Sequence, residues 1–167
     1  MNVTQALIDG LVWSVLWVIV IAVAAWKFPQ QLVHDYPEEL QKVVHLPPVD
    51  KEKYRLFIVP AIVVIIGFLF FSVLRTYSTA EVAIWVLILH AFILGMVWNV
   101  FDLLIMDWLL FCTIQPKFMV LPGSEGHPAY KDYRFHFIGF LKGCAYSAVG
   151  AAICGGICFG ILKFFVW

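Results

Sequence analysis

Charge is scarce in this chain. Only 13% of its 167 residues are charged, with Lys plus Arg equal to Asp plus Glu at 11 each. Soluble domains carry about 25%. No basic concentration is present, which argues against nucleic acid as a partner, because phosphate backbones are held by clustered cations. The nucleotide loops GxGxxG and GxxxxGK[ST] are missing, as are HExxH, HxxxH and CxxC. Those absences remove the short motifs that would assign phosphate cradling, metalloprotease or thiol redox chemistry. Of the cysteines Cys112, Cys144, Cys154 and Cys158, three lie in the last apolar run. There they are expected to pack as small hydrophobes. No Lys or Arg precedes the first apolar run, so that run is read as a span rather than a cleavable signal.

What is abundant is apolar surface. Hydrophobic residues make up 63% of the chain and aromatics 17%. A soluble domain this small has too little interior to hide that much. The gaps between charges are the clearest pattern. Asp9 and Lys27, Arg55 and Arg75, Glu81 and Asp102, and Lys142 and Lys163 each bracket an uncharged apolar run. A helix needs about 20 residues to cross the hydrocarbon. None of the runs alternates polar and apolar as a membrane β-strand does. The expected fold is all-α: an integral membrane four-helix bundle forming one domain over 1–167. Its spans are placed at about 7–26, 56–74, 82–102 continuing to 114, and 143–162. Trp26, Tyr54, Tyr77, Trp85 and Trp167 fall near the proposed ends, where amphipathic rings prefer to lie.

Lys and Arg also suggest an orientation. One side would hold Arg75 and Lys163. The other would hold Lys27, Lys42, Lys51, Lys53, Arg55, Lys117, Lys131 and Arg134, with Lys142 at its border. The positive-inside rule then puts the 27–55 and 115–141 loops in the cytoplasm. The chain becomes a multi-pass protein of the cell membrane with both termini outside. In the first loop, residues 37–44 read as a short helix started by Pro37. In the 75–81 link, Ser78 or Thr79 is positioned to cap the third helix. The 115–141 loop is rich in aromatics, which points to a segment folded onto the helix ends rather than disordered.

The third helix has no Pro or Gly between Asp102 and Pro116 and is expected to run on past Asp102. On a wheel of about 100° per residue, Asn99, Asp102 and Thr113 share one side. Polar groups at membrane depth face a bundle interior or water, so this side should face inward. Asp102 and Lys142 carry opposite charge at the same boundary and are expected to pair. The candidate ligand-binding set is Asn99, Asp102 and Asp107 from the third helix, with His127, Arg134, His136 and Lys142 from the loop and the start of the fourth. Arg and Lys suit a phosphate or carboxylate. Asp with His suits proton transfer. The spacing Asn99-x-x-Asp102-x-x-x-x-Asp107 resembles the aspartate motifs of membrane prenyltransferases. That family has more helices and a second motif, both absent here, so no reaction is carried over. No metal is assigned, and any cofactor is left open. His90 lies on the opposite side and is expected to be packed and hydrogen-bonded.

The fourth helix carries Gly139, Gly143, Ser147, Ala151 and Gly155 in one row, and Ala148, Ala152, Gly156 and Gly160 in a second. Small residues at this spacing let helices approach closely. The 139–160 face can therefore serve the bundle itself, a homo-oligomer or a larger membrane complex. Three functions fit this pattern. The first is a small polytopic protein binding membrane lipids by the headgroup, or a small anionic ligand, at the cytoplasmic face. The second is a non-enzymatic subunit or assembly factor. The third is an oligomeric transporter moving protons through Asp102, Asp107 and His90.

Overall fold

Each apolar run becomes a helix, and each helix begins or ends on a local polar device. The structure, a computed structural model, describes residues 1–167 and contains no strand. Helix α1 (Val3–Lys27) starts at Asn2, whose side chain accepts from the Gln5 N–H at 3.0 Å. It stops just before Pro29, which disfavours helical backbone in the residue preceding it. The short α2 (Glu38–Val43) follows Pro37 and buries Leu40 completely. Helix α3 (Lys51–Tyr77) is capped by Asp50 and contains Pro60. Helix α4 (Ile84–Phe101) continues without a break into a π-helical segment, Asp102–Ile114. Helix α5 (Tyr133–Phe165) is capped by Asp132, which accepts from the Phe135 N–H at 2.9 Å. Four helices are long and apolar enough to cross a membrane, α4 and its π extension counting as one.

Three boundaries differ from expectation. Neither Ser78 nor Thr79 caps α4. That helix starts after Ala83, Ser78 bonds back to the Arg75 carbonyl, and Glu81 pairs with Lys163. Helix α5 begins at Tyr133, well before the Lys142 bracket. Arg134 and His136 therefore sit on a helix, and the true connector is only 115–132. The third helix does run on past Asp102, but with wider turns: the Gln115 N–H reaches the Leu110 carbonyl, five residues back, at 2.7 Å.

Helix α4 is the centre of the bundle. It contacts α1, α3 and α5, whereas α1 and α5 share no extended contact with each other. The α4–α5 interface is the tightest. A methyl group placed on Gly155 would lie 2.6 Å from Ile88 Cγ1 and 2.7 Å from the Ile88 backbone nitrogen. Gly143 is as close to Asn99, and Gly95 to Ser147. So the first small-residue row is consumed inside the monomer from Gly143 onward, while Gly139 stays open. Val73, Leu87, Ala91, Cys154, Cys158 and Leu162 form the core beside it. The second row points away: Ala148 and Ala152 are exposed, and nothing lies near Gly156 or Gly160. The outer surface is strongly apolar, with Leu11, Ile19, Val63, Val149 and Ile153 all exposed. An apolar rim of that extent is stable only in lipid or against a partner.

Two glycines one residue apart test this packing. Gly155→Ala is expected to lower stability by about 1–3 kcal/mol, because backbone rather than a flexible side chain must move. Gly156→Ala is expected to be neutral or slightly stabilising, since Ala is the better helix former and finds open space. Thermal unfolding of the two variants in detergent micelles measures the difference.

Candidate functional site

Because α1 and α5 both lean on α4 without touching, a cleft opens between them at the loop end of the bundle. It holds about 550 Å³. Its walls come from the end of α1 (Ile21, Ala25), the 32–36 segment, the end of α4 with its π extension, and the first turns of α5. Met119 and Tyr36 close it from the loop side. They are held there by a small second core of Tyr36, Leu40, Phe111, Cys112, Leu121, Ala129 and Tyr130. The Tyr36 hydroxyl donates to the Met119 carbonyl at 2.9 Å. The Tyr130 hydroxyl accepts from the Leu121 N–H at 2.8 Å and shares a 2.7 Å bond with Ser124. The aromatic loop is thus folded over the helix ends.

Five of the seven anticipated residues line this cleft: Asn99, Asp102, Asp107, His136 and Lys142. Asn99 donates to Ser147 at 2.9 Å, tying α4 to α5. Asp107 meets the buried His136 at Nδ1, 2.9 Å away, while His136 Nε2 has no partner. With the Nδ1 proton directed at the carboxylate, the Nε2 lone pair is left free. The expected Asp102–Lys142 ion pair does not form. Neither side chain takes part in any of the molecule's ion pairs or hydrogen bonds, although α4 and α5 are in contact and both side chains line the cleft. His127 and Arg134 lie outside the cleft. The His127 ring accepts from the Ala129 N–H at 3.2 Å and caps a short 3₁₀ turn, and Arg134 is on the exposed side of α5.

The cleft also contains charges that the charge-bracketing pattern does not reveal. His34 and Asp35 face it from the 32–36 segment and pair with each other at 3.3 Å. Desolvation at the wall raises the Asp35 carboxyl above the usual carboxylate range, His34 opposes this, and the nearby Asp107 adds to it. No periodicity places a single 3₁₀ turn against a distant helix, so these two residues carried no signal. No cluster of three His, Cys, Asp or Glu side chains is arranged to hold a metal ion.

A second polar cluster sits at the other end of the bundle, inside the membrane-spanning helices. Asp9 is buried and accepts from Gln5 Nε2 at 2.8 Å, from Ser72 Oγ at 2.6 Å and from Arg75 at 3.2 Å. His90 is fully buried, with Nε2 2.9 Å from Ser72 Oγ and Nδ1 3.3 Å from the Tyr77 hydroxyl. The donor roles follow from one end. A carboxylate only accepts, so Ser72 donates to Asp9 and must accept from His90 Nε2–H. Nδ1 is then the acceptor for Tyr77. Every ring nitrogen and carboxylate oxygen in this cluster is used. His90 is packed and hydrogen-bonded, as expected, although Asp9 and Arg75, joined to it through Ser72, had been read only as span brackets.

No family model, curated protein or solved structure matches the chain. The fold defines a multi-pass membrane protein.

The buried Asp9 makes the terminal-end cluster testable. Arg75→Ala is expected to cost about 1–3 kcal/mol, because it leaves a buried carboxylate short of its cation. Adding Asp9→Asn to that variant should restore part of the loss, since no unpaired charge then remains. Unfolding of the single and double variants in micelles reads out the coupling.

Proposed function

We propose that the protein binds the polar head of a membrane lipid in the loop-end cleft. On this reading the cleft lies at the cytoplasmic face of the cell membrane, with both termini outside, as the Lys and Arg distribution supports. The observation that carries it is the amphipathic layout of the cleft. Asp35, Asp102, Asp107, His136 and Lys142 gather at the loop end with Leu103 and Ile138 between them, while Ile21 and Tyr146 line the part that runs into the span. An amphiphile lying with its head at the boundary and a chain along α5 meets both surfaces. A small free anion fits less well. Arg134 is absent from the cleft, and three carboxylates are present.

One observation favours a role in a larger assembly as a second reading. The outward row Ala148, Ala152, Gly156 and Gly160 offers lipid a surface that another helix would pack against more closely. The two readings are compatible, because the row and the cleft occupy different faces of α5. Proton transport through His90 draws no comparable support. His90 does not line the cleft, and both its ring nitrogens are engaged.

Gly139 separates ligand binding from folding. It lines the cleft, and nothing lies near where its side chain would begin. Gly139→Leu is expected to fill the cleft and to remove the lipid that co-purifies with the full chain in native mass spectra. Its unfolding temperature should stay within a few degrees of the original, since no protein atom must move. A variant that keeps the original lipid complement would sink the proposal.

A further inference from the structure

Of the carboxylates facing the cleft, two have an imidazole partner. Asp107 has His136, and Asp35 has His34. Asp102 on α4 and Lys142 on α5 are left, one of each sign, facing the same space and bonded to nothing. A lone charge at a membrane boundary is costly unless something completes it. A simple anion would complete Lys142 and be repelled by Asp102, with Asp35 and Asp107 adding to the repulsion. A simple cation would do the reverse at Lys142. Only a ligand carrying both signs on one short head completes both walls.

From this we infer that the lipid head is zwitterionic: a phosphodiester held by Lys142 and an ammonium held by Asp102. The inference rests on the lipid-binding reading above and adds the chemical class. The order of groups along the ligand agrees with the walls. In such a lipid the phosphate lies between the ammonium and the acyl chains. Tyr146 stands one turn beyond Lys142 on α5 and also lines the cleft, so a chain leaving a phosphate at Lys142 continues along the apolar wall. Asp35 and Asp107 add negative charge to the same cleft, which further disfavours a purely anionic head.

The test is a competition on the full-length protein in micelles. Phosphatidylethanolamine, phosphatidylcholine and phosphatidylglycerol with identical acyl chains are offered in equal amounts, and bound lipid is counted by native mass spectrometry. Both zwitterionic lipids are expected to exceed phosphatidylglycerol by about tenfold, the factor one charge-assisted contact supplies. Asp102→Asn should bring that ratio close to one while lipid is still bound. Lys142→Gln, at an exposed side chain, should lower retention of all three. Glycerophosphoethanolamine, the same head without chains, should not be retained. Equal or greater binding of phosphatidylglycerol by the unaltered protein would overturn the zwitterion assignment and leave lipid binding standing. Absence of any retained lipid, or equal retention of the chainless head, would overturn lipid binding itself. The competition on the unaltered protein decides the matter even if Asp102→Asn fails to fold.

Discussion

The close approach of α4 and α5 is the contact on which the remaining arrangement depends. Lipid chains are as apolar as leucine, so helices in a membrane gain little from mere hydrophobicity and associate through tight packing. Here the packing is backbone against side chain, Gly155 on Ile88 and Gly143 on Asn99. Asn99 and Ser147 add a hydrogen bond within the same seam. Once α5 is fixed there, α1 has to pack on another flank of α4, where Gly10 meets Val97 and Trp17 stacks on Trp98. The cleft is the wedge left between α1 and α5. It is therefore a consequence of two tight seams on one central helix.

The two ends of the bundle differ in how completely their polar groups are matched. At the terminal end, Asp9, Ser72, His90, Tyr77 and Arg75 form a closed chain in which each donor has an acceptor. Such a chain fixes helix register and leaves nothing over for a ligand. At the loop end, Asp102 and Lys142 are unmatched and His136 Nε2 has no donor. Native proteins satisfy nearly all buried polar groups, so the orphaned His136 nitrogen, with two uncommitted charges facing the same cavity, sets this end apart as the one with capacity for a ligand.

Much of this architecture was legible because lipid imposes simple rules. Charge brackets located the four spans, the unbroken run past Asp102 located the long third helix, and the aromatic density of the loop foretold a folded cap. The errors share one cause: brackets mark where charge becomes tolerable, not where a helix ends. Helix α5 therefore begins at Tyr133 instead of after Lys142, and His136 arrives in the cleft on a helix. The Asp102–Lys142 pairing failed for a different reason. Contact between two helices does not settle where their side chains point, and here both face the cleft. Asp9 and Arg75 also sit on touching helices, and there the two side chains do meet, at 3.2 Å. His34 and Asp35 were invisible to any argument from helical periodicity, since a single 3₁₀ turn carries them.

The π-helical extension of α4 gives the cleft its acidic wall. Asp102 and Asp107 are five residues apart. On an α-helix that spacing separates side chains by roughly 140°, so one of them would turn away from the cleft. Wider turns, closed by bonds reaching five residues back, bring such a pair much nearer to one face. Both do line the cleft. The same segment ends at Gln115 in the left-handed conformation, φ 53°, where the chain reverses into the loop that carries Met119 over the cleft. The π segment thus couples two features that the sequence presents separately: the alignment of the carboxylates and the closure above them. A conversion of this segment to α-helix would rotate Asp107 away from His136 and unmatch a third group at the same end. The irregular helix is therefore part of the geometry of the cleft.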